Sequence, residues 1–290
     1  MNLKSPKVSV ICLCFNHRDY VVESITSVLN QTYQNYELIV VDDGSSDGSI
    51  EVIERFISQY PQIKFVKLAT NQGICKAFNK ALASTTGDFI IDLAADDLLL
   101  PLRLQKGIQT FESLSDEYGV IFSDAEWIDK QGQHLYFHST KYPHDTIPQA
   151  NIYKELIERY FICSPTMMFR SKVIQKLGGY DELLTYEDFD FWIRSSRHFN
   201  YFYSTEVSVK KRKLENSLSH NQFKLLNKQG DSTYRVCNKI LELNENLAER
   251  DALQRRINYE IRQSIRTLNV GLAYRYIRLA LKNKSLHYAH

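Results

Sequence analysis

The sequence predicts an α/β protein, a mostly parallel sheet flanked by helices with a helical C-terminal extension. Three observations carry this. Apolar, β-rich runs alternate with helically spaced segments through the first hundred residues. Polar clusters close three of those runs. After about residue 205 the pattern gives way to a basic polar stretch and then to long helical segments.

The first strand is "KVSVICLCFN", apolar until Asn16. "DYVVESITSVLNQTY" then repeats apolar residues at helical spacing, with Val21, Val22, Ile25, Val28 and Leu29 on one face. "YELIVVDDGSSDGS" is a short strand over Leu38 to Val41 that runs into turn residues, and "SIEVIERFISQY" is helical again. "IKFVKLA" reads as a strand, "GICKAFNKALAST" as a helix stopped at Gly87, and "DFIIDLA" as the next strand. The order β-α-β-α-β-α-β implies a parallel sheet, in which ligands gather at the carboxyl ends of strands. Asn16-His17, Asp42-Asp43-Gly44-Ser45 and Asp96-Asp97 all fall at such ends.

The middle of the chain is less regular. "GVIFSDAEWIDKQGQHLYF" suggests two strands about a turn at Gln131-Gly132, and "IYKELIERYFIC" a helix. "SPTMMFRSKVIQKLGGYDELL" suggests a strand, a short helix and a Gly-Gly turn, and "YEDFDFWIRSSRHF" an amphipathic segment with an acidic start. "KKRKLENSLSHNQ" reads as a basic polar loop, which puts a boundary near 205–225. The chain of 290 residues, 43% hydrophobic, is long enough for a large core. Its net charge of +2 is unevenly spread: residues 200–290 hold 17 Lys and Arg against 8 Asp and Glu, and the rest is acidic. Cys12, Cys14, Cys75, Cys163 and Cys237 show no metal-type spacing and read as buried reduced thiols of a reducing cytosol. No run approaches the roughly 20 apolar residues of a membrane span, and the start lacks the apolar segment of a cleavable signal.

Each acidic pair has two readings. Asp42-Asp43 before Gly44-Ser45 is ordinary turn chemistry, or a set of acceptors for a base N–H and ribose hydroxyls. No G-x-G-x-x-G follows the first strand, which argues against a dinucleotide site, and no Walker-type loop is present. Asp96-Asp97 at the end of a buried strand is costly unless a cation neutralises it; a hard divalent metal takes such oxygens together with substrate phosphates. Asp96 could instead cap a helix starting near Pro101. Glu187-Asp188 either complements a helix dipole or holds a catalytic base at a helix start.

Taken in order, "VSVICLCFNHRDYVVESITSVLNQTYQNYELIVVDDGSSDGS", "NQGICKAFNKALASTTGDFI", "ADDLLLP", "LGGYDE" and "YEDFDFWIR" resemble the motifs of family-2 inverting glycosyltransferases. The resemblance spans roughly residues 7–195 and implies the Rossmann-like GT-A fold. It implies a glycosyltransferase domain over 1–205, with a nucleotide-binding half at 1–100 and an acceptor half at 101–205, followed by a basic loop and helical region at 206–290. It also implies roles. Phe15 would stack on the nucleobase, and Asp43, with Asp42 beside it, would bond the base. Asn71, Gly73 and Lys76 would belong to the donor site. Asp96 would contact the donor, and Asp97, with Asp96, would hold Mg²⁺ or Mn²⁺. Asp188 would be the general base, with Glu187 assisting it or contacting the acceptor. Lys210, Lys211, Arg212 and Lys213 would neutralise the diphosphate from a mobile flap, with His220 a lesser substitute.

This chain departs from the family pattern at Ala94, where many relatives place another acid, and at Leu214, where many place His. The implied activity is transfer from a nucleoside-diphosphate sugar, UDP-linked, to a glycan or lipid-linked acceptor in surface polysaccharide biosynthesis. A non-catalytic binding protein of the same fold is the alternative, ahead of a sugar nucleotidyltransferase, whose Gly-rich loop is missing from "CFNHRDY". The tail alternates apolar residues with arginines, so residues 252–290 either pack on the catalytic domain or lie on an anionic membrane surface. Nucleic acid is not an expected partner, because no recognition motif accompanies the basic residues. Homo-oligomerisation is left open. The expected location is the cytoplasm, or the inner face of the cell membrane.

Overall fold

The computed structural model describes residues 5–214 and 229–287. Among these, nine strands form one sheet in the order β3-β2-β1-β4-β8-β6-β9-β5, with β7 paired to β6. The first half follows the alternation in the sequence. β1 (Val8–Cys14), α1 (Val21–Leu29), β2 (Tyr36–Asp42), α2 (Ser49–Ile57), β3 (Lys64–Lys67), α3 (Ile74–Leu82) and β4 (Phe89–Ala94) succeed one another. β1 runs parallel to β2 and β4, and β2 parallel to β3. β1 is buried along its whole length, because helices cover both sheet faces. Val21, Ile25 and Val28 of α1 are buried one turn apart, and Val22 and Leu29 pack at the edge of the same core.

The second half is mixed. After a turn at Ala95–Asp97 come β5 (Leu98–Leu99), α4 (Arg103–Ser113), β6 (Tyr118–Ile128) and β7 (His134–Phe137). α5 (Tyr153–Glu158), β8 (Met168–Arg170), α6 (Ser171–Leu177), α7 (Asp188–Ser196) and β9 (Asn200–Arg212) follow. β8 runs antiparallel to β4 and β6, while β9 runs parallel to β6 and antiparallel to β5. The helix over "IYKELIERYFIC" is shorter than its sequence suggests. It ends at Glu158, and the consecutive residues Phe161, Ile162 and Cys163 are all buried, which no single helical face provides. The basic loop starts later than the sequence suggests: residues 206–212 are the second half of β9. There Val209 is buried against β5, and Lys210, Lys211 and Arg212 lie opposite Glu126, Trp127 and Ile128 of β6. His220 lies outside the described residues.

The chain groups into two compact units, one of Met1–Ala150, Ile162–Glu182 and Phe199–Lys213, the other of Asn151–Phe161, Leu183–His198 and Leu214–His290. The sheet belongs to the first. The second contains α5, α7 and the C-terminal helices α8 (Gln229–Leu243), α9 (Leu247–Arg266) and α10 (Val270–His287). Cations bind this second unit together. Arg197 makes a two-pronged bond to Glu249 and lies over the Tyr153 ring. Buried Arg256 donates to the Ile157 carbonyl and stacks on Tyr160 and Phe189. Buried Asp190 receives Arg194 and Lys239. Part of the basic tail thus serves internal packing of α8 and α9 on α5 and α7. The five cysteines are buried. Among the described residues no helix is long and apolar enough to cross a membrane.

Candidate active site

The carboxyl ends of β1, β2 and β4 lie side by side in the sheet, so the three polar clusters are neighbours. Asp42 closes β2 in a tight turn: its carboxylate accepts from the backbone N–H of Ser45 at 2.8 Å and from the Ser45 hydroxyl at 2.6 Å. That hydroxyl also accepts from the Asn16 backbone N–H at 2.8 Å, and the Asn16 side-chain oxygen accepts from Ser46 N–H at 2.9 Å. The loop after β1 is therefore locked to the loop after β2. Phe15, in that first loop, is 42% exposed, which leaves its ring open to a stacking partner.

Asp43 faces the other way. Its two oxygens accept from the backbone N–H groups of Gln72 and Gly73, at 2.7 and 2.9 Å, and so hold the segment that opens α3. Asn71 is exposed there, and Gly73 and Lys76 are half-buried, at a helix end whose dipole favours anions. Gly44 lets the two loops meet. Its φ is +72°, and a Cβ there would lie 2.5 Å from the Thr70 carbonyl carbon. Further along α3, Asn79 exchanges two hydrogen bonds with the Tyr180 backbone, so "LGGYDE" is fixed to the helix that Asp43 starts.

Asp96 and Asp97 are buried in the turn after β4. Helix α4 begins only at Arg103, with Leu102 as its N-cap, so Asp96 does not cap it. Burial, then the adjacent Asp96 carboxylate, push the Asp97 carboxyl up to about 8, while Lys211 and Arg212 pull it down. Asp97 Oδ1 accepts from the Arg212 backbone N–H at 2.8 Å. The Arg212 side chain is buried and donates on three sides: Nε to the Asp96 carbonyl, one terminal nitrogen to the Asp129 and Lys130 carbonyls, the other to Glu23 at 2.7 Å. It also stacks on Tyr20. Arg212 thus braces the acid pair from the end of a strand. Lys211 holds its ammonium over the Trp127 ring at 5.1 Å. The pair fits a divalent cation, whose charge offsets the burial and the neighbouring carboxylate that together raise Asp97, and Mg²⁺ needs only one or two protein carboxylates when phosphates complete its shell. Among the described residues no third acid, His or Cys joins them as a ligand set.

Glu187 and Asp188 belong to the second unit, where Glu187 is the N-cap and Asp188 the first residue of α7. Sequence reasoning gave no role to Glu23, Tyr20 and Ser45, which brace the site, or to His17, whose Nδ1 is 3.8 Å from Asp96 Oδ1. His17 and Ser45 stood in noted polar clusters; Glu23 and Tyr20 carry no local signal.

Residues 9–178 match the model of the family "Glycosyl transferase family 2". An uncharacterised glycosyltransferase of Methanocaldococcus jannaschii is 33% identical over 195 residues, which cover 66% of this chain and 65% of that protein. EpsE of Bacillus subtilis, a glycosyltransferase by its name, is 28% identical over 240 residues, or 81% of this chain and 83% of EpsE. Among solved structures, Staphylococcus aureus TarS 1-349 in complex with UDP-GlcNAc matches 89% of this chain and 72% of its own, with a TM-score of 0.68 at 20% identity. The mannosyltransferase PcManGT of Pyrobaculum calidifontis, in complex with GDP-Man and Mn²⁺, matches 97% and 88%, with a TM-score of 0.61 at 15% identity. The fold is therefore GT-A, and with acidic clusters at the strand ends and the family model spanning more than half its length, the chain belongs to glycosyl transferase family 2.

Proposed function

We propose that the protein is an inverting, metal-dependent glycosyltransferase that moves a sugar from a UDP-linked donor to a hydroxyl of a glycan or lipid-linked acceptor, in the assembly of a surface polysaccharide. The observation that carries the reading is the buried pair Asp96–Asp97, braced by Arg212 at a strand end, where two carboxylates repel unless a cation joins them. The UDP-GlcNAc bound by TarS and the GDP-Man and Mn²⁺ bound by PcManGT support a nucleotide-sugar donor and a metal.

In this reading Phe15 stacks on the base, and Asp43 uses its remaining lone pairs on the base N–H, with Asp42 fixing the loop beside it. Asn71, Gly73 and Lys76 line the donor from the start of α3. Asp97 and Asp96 would hold Mg²⁺ or Mn²⁺, which when bound offsets charge on the diphosphate and the departing nucleotide. Lys211 adds a positive charge beside that pair. Arg212 acts by fixing the acid pair, since its side chain already donates to Asp96, Asp129, Lys130 and Glu23.

Asp188 takes the acceptor hydroxyl proton as that oxygen attacks the anomeric carbon, and Glu187 assists. The bond to the diphosphate breaks with its electron pair on the leaving nucleotide, and one displacement inverts the centre. The hydroxyl becomes acidic only as its new bond forms, so placement of the carboxylate matters more than a raised pKa.

The test is sugar transfer with a panel of nucleotide sugars and Mn²⁺. Asp188→Asn should lower kcat by about 10²–10⁴-fold while donor binding persists. Unchanged turnover would remove Asp188 from the mechanism, and failure to bind any nucleotide sugar would remove the enzyme reading.

A further inference from the structure

Helix α10 carries apolar residues on two opposite sides. Leu272, Tyr276 and Leu279 are buried in the second unit. Val270, Tyr274, Ile277 and Leu281, spaced four, three and four residues apart, form a second stripe on the other side. Among the described residues nothing covers that stripe. Together with Ile265 and Leu268, at and just beyond the end of α9, its members are between 45 and 74% exposed. Scattered exposed hydrophobics are ordinary, but six within one helix–turn–helix make a patch that calls for a partner.

The charge around the patch selects the partner. Residues 261–290 contain six Lys and Arg and no Asp or Glu. Arg262, Arg266, Arg278, Lys282 and Lys284 are exposed. On the helical wheel Arg278 and Lys284 flank the stripe on either side. A second copy of the same face would set these cations against one another, whereas an anionic lipid surface neutralises them and receives the apolar stripe. Tyr274, with an apolar ring and a polar tip, suits the headgroup boundary.

We propose that the α9–α10 turn and the outer stripe of α10 dock in the interface of an anionic lipid bilayer, with α10 lying in the membrane plane. This role is independent of the sugar-transfer chemistry. Binding would combine burial of the stripe with attraction of the flanking cations, and would weaken as salt screens them.

The test is co-sedimentation of the full chain with phosphatidylcholine vesicles and with equimolar phosphatidylcholine–phosphatidylglycerol vesicles. The protein should bind the anionic vesicles and not the neutral ones, less so at high salt. Ile277→Glu with Leu281→Glu, both at exposed positions, should cut binding by about ten-fold or more with an unchanged melting curve. Arg278→Ser with Lys282→Ser and Lys284→Ser should weaken binding while leaving the stripe in place. The proposal falls if the wild-type chain ignores anionic vesicles, or if the double glutamate variant binds them undiminished. It falls equally if the wild type is a dimer that the double glutamate variant splits, which would assign the face to a second copy.

Discussion

Arg212 draws three segments together with one side chain: Glu23 of α1, the turn after β4, and the carbonyls of the β6–β7 turn. A guanidinium can do this because it offers five donors in a rigid fork. Lysine cannot, so Arg212→Lys leaves buried carbonyls unmet. It should destabilise the fold by about 1–3 kcal/mol in urea unfolding. Because Asp96 and Asp97 are braced by the same residue, it should also raise the Mn²⁺ concentration needed for transfer. Wild-type values for both would refute the bracing role. The acid pairs themselves were legible as sequence, since two carboxylates after an apolar run are conspicuous. Their supports were not. Glu23 sits in an ordinary amphipathic helix, and only a contact made across 189 residues gives it a role.

At the scale of elements, the parallel half of the sheet was readable because its strands are continuous apolar runs and its helices repeat cleanly. The end of β9 was not, because its Lys and Arg resemble a solvated loop until Glu23, Glu126 and the β6 backbone supply partners. Glu37 illustrates the same dependence at the opposite end of the strands. Burial alone would push its carboxyl up, but hydrogen bonds from Ser9, Lys64 and Thr86 outweigh that and pull it down to about 2 from 4.5. The folded carboxylate thus holds its proton less tightly than the unfolded one, so its stabilisation is complete above about pH 4.5 and fades as the pH falls towards 2. Glu37→Gln should therefore flatten the acid limb of the stability curve within that window, as measured by urea unfolding at stepped pH. An unaltered limb would show that the network around Ser9, Lys64 and Thr86 contributes nothing there. At the loop that joins β2 to α2, Gly44→Ala meets both a left-handed backbone and the Thr70–Asn71 peptide. It should cost more than about 1 kcal/mol and displace the start of α3, weakening donor binding as well as stability.

On the scale of the whole molecule, the candidate donor residues Phe15, Asp42, Asp43, Asn71, Gly73, Lys76, Asp96, Asp97, Lys211 and Arg212 all lie in the first unit, and Glu187 and Asp188 in the second. Under the proposed mechanism this division makes donor binding separable from proton transfer. A donor that binds only the native state stabilises it by about 2.7 kcal/mol at a hundred times its Kd. Hydrogen exchange with nucleotide sugar and Mn²⁺ should therefore slow in the loops after β1, β2 and β4 and at the start of α3; in the first two loops and at α3, backbone amides already donate to side-chain oxygens of Ser45, Asn16 and Asp43. Asp97→Asn should abolish the part of that protection that depends on Mn²⁺. It should not lower the stability of the ligand-free protein, because it removes a buried carboxyl that its neighbour repels. Asp188→Asn, by contrast, should keep the whole protection pattern while losing turnover. If Asp97→Asn instead unfolded the ligand-free chain, the acid pair would be a structural feature of the turn, and the metal assignment would have to be given up.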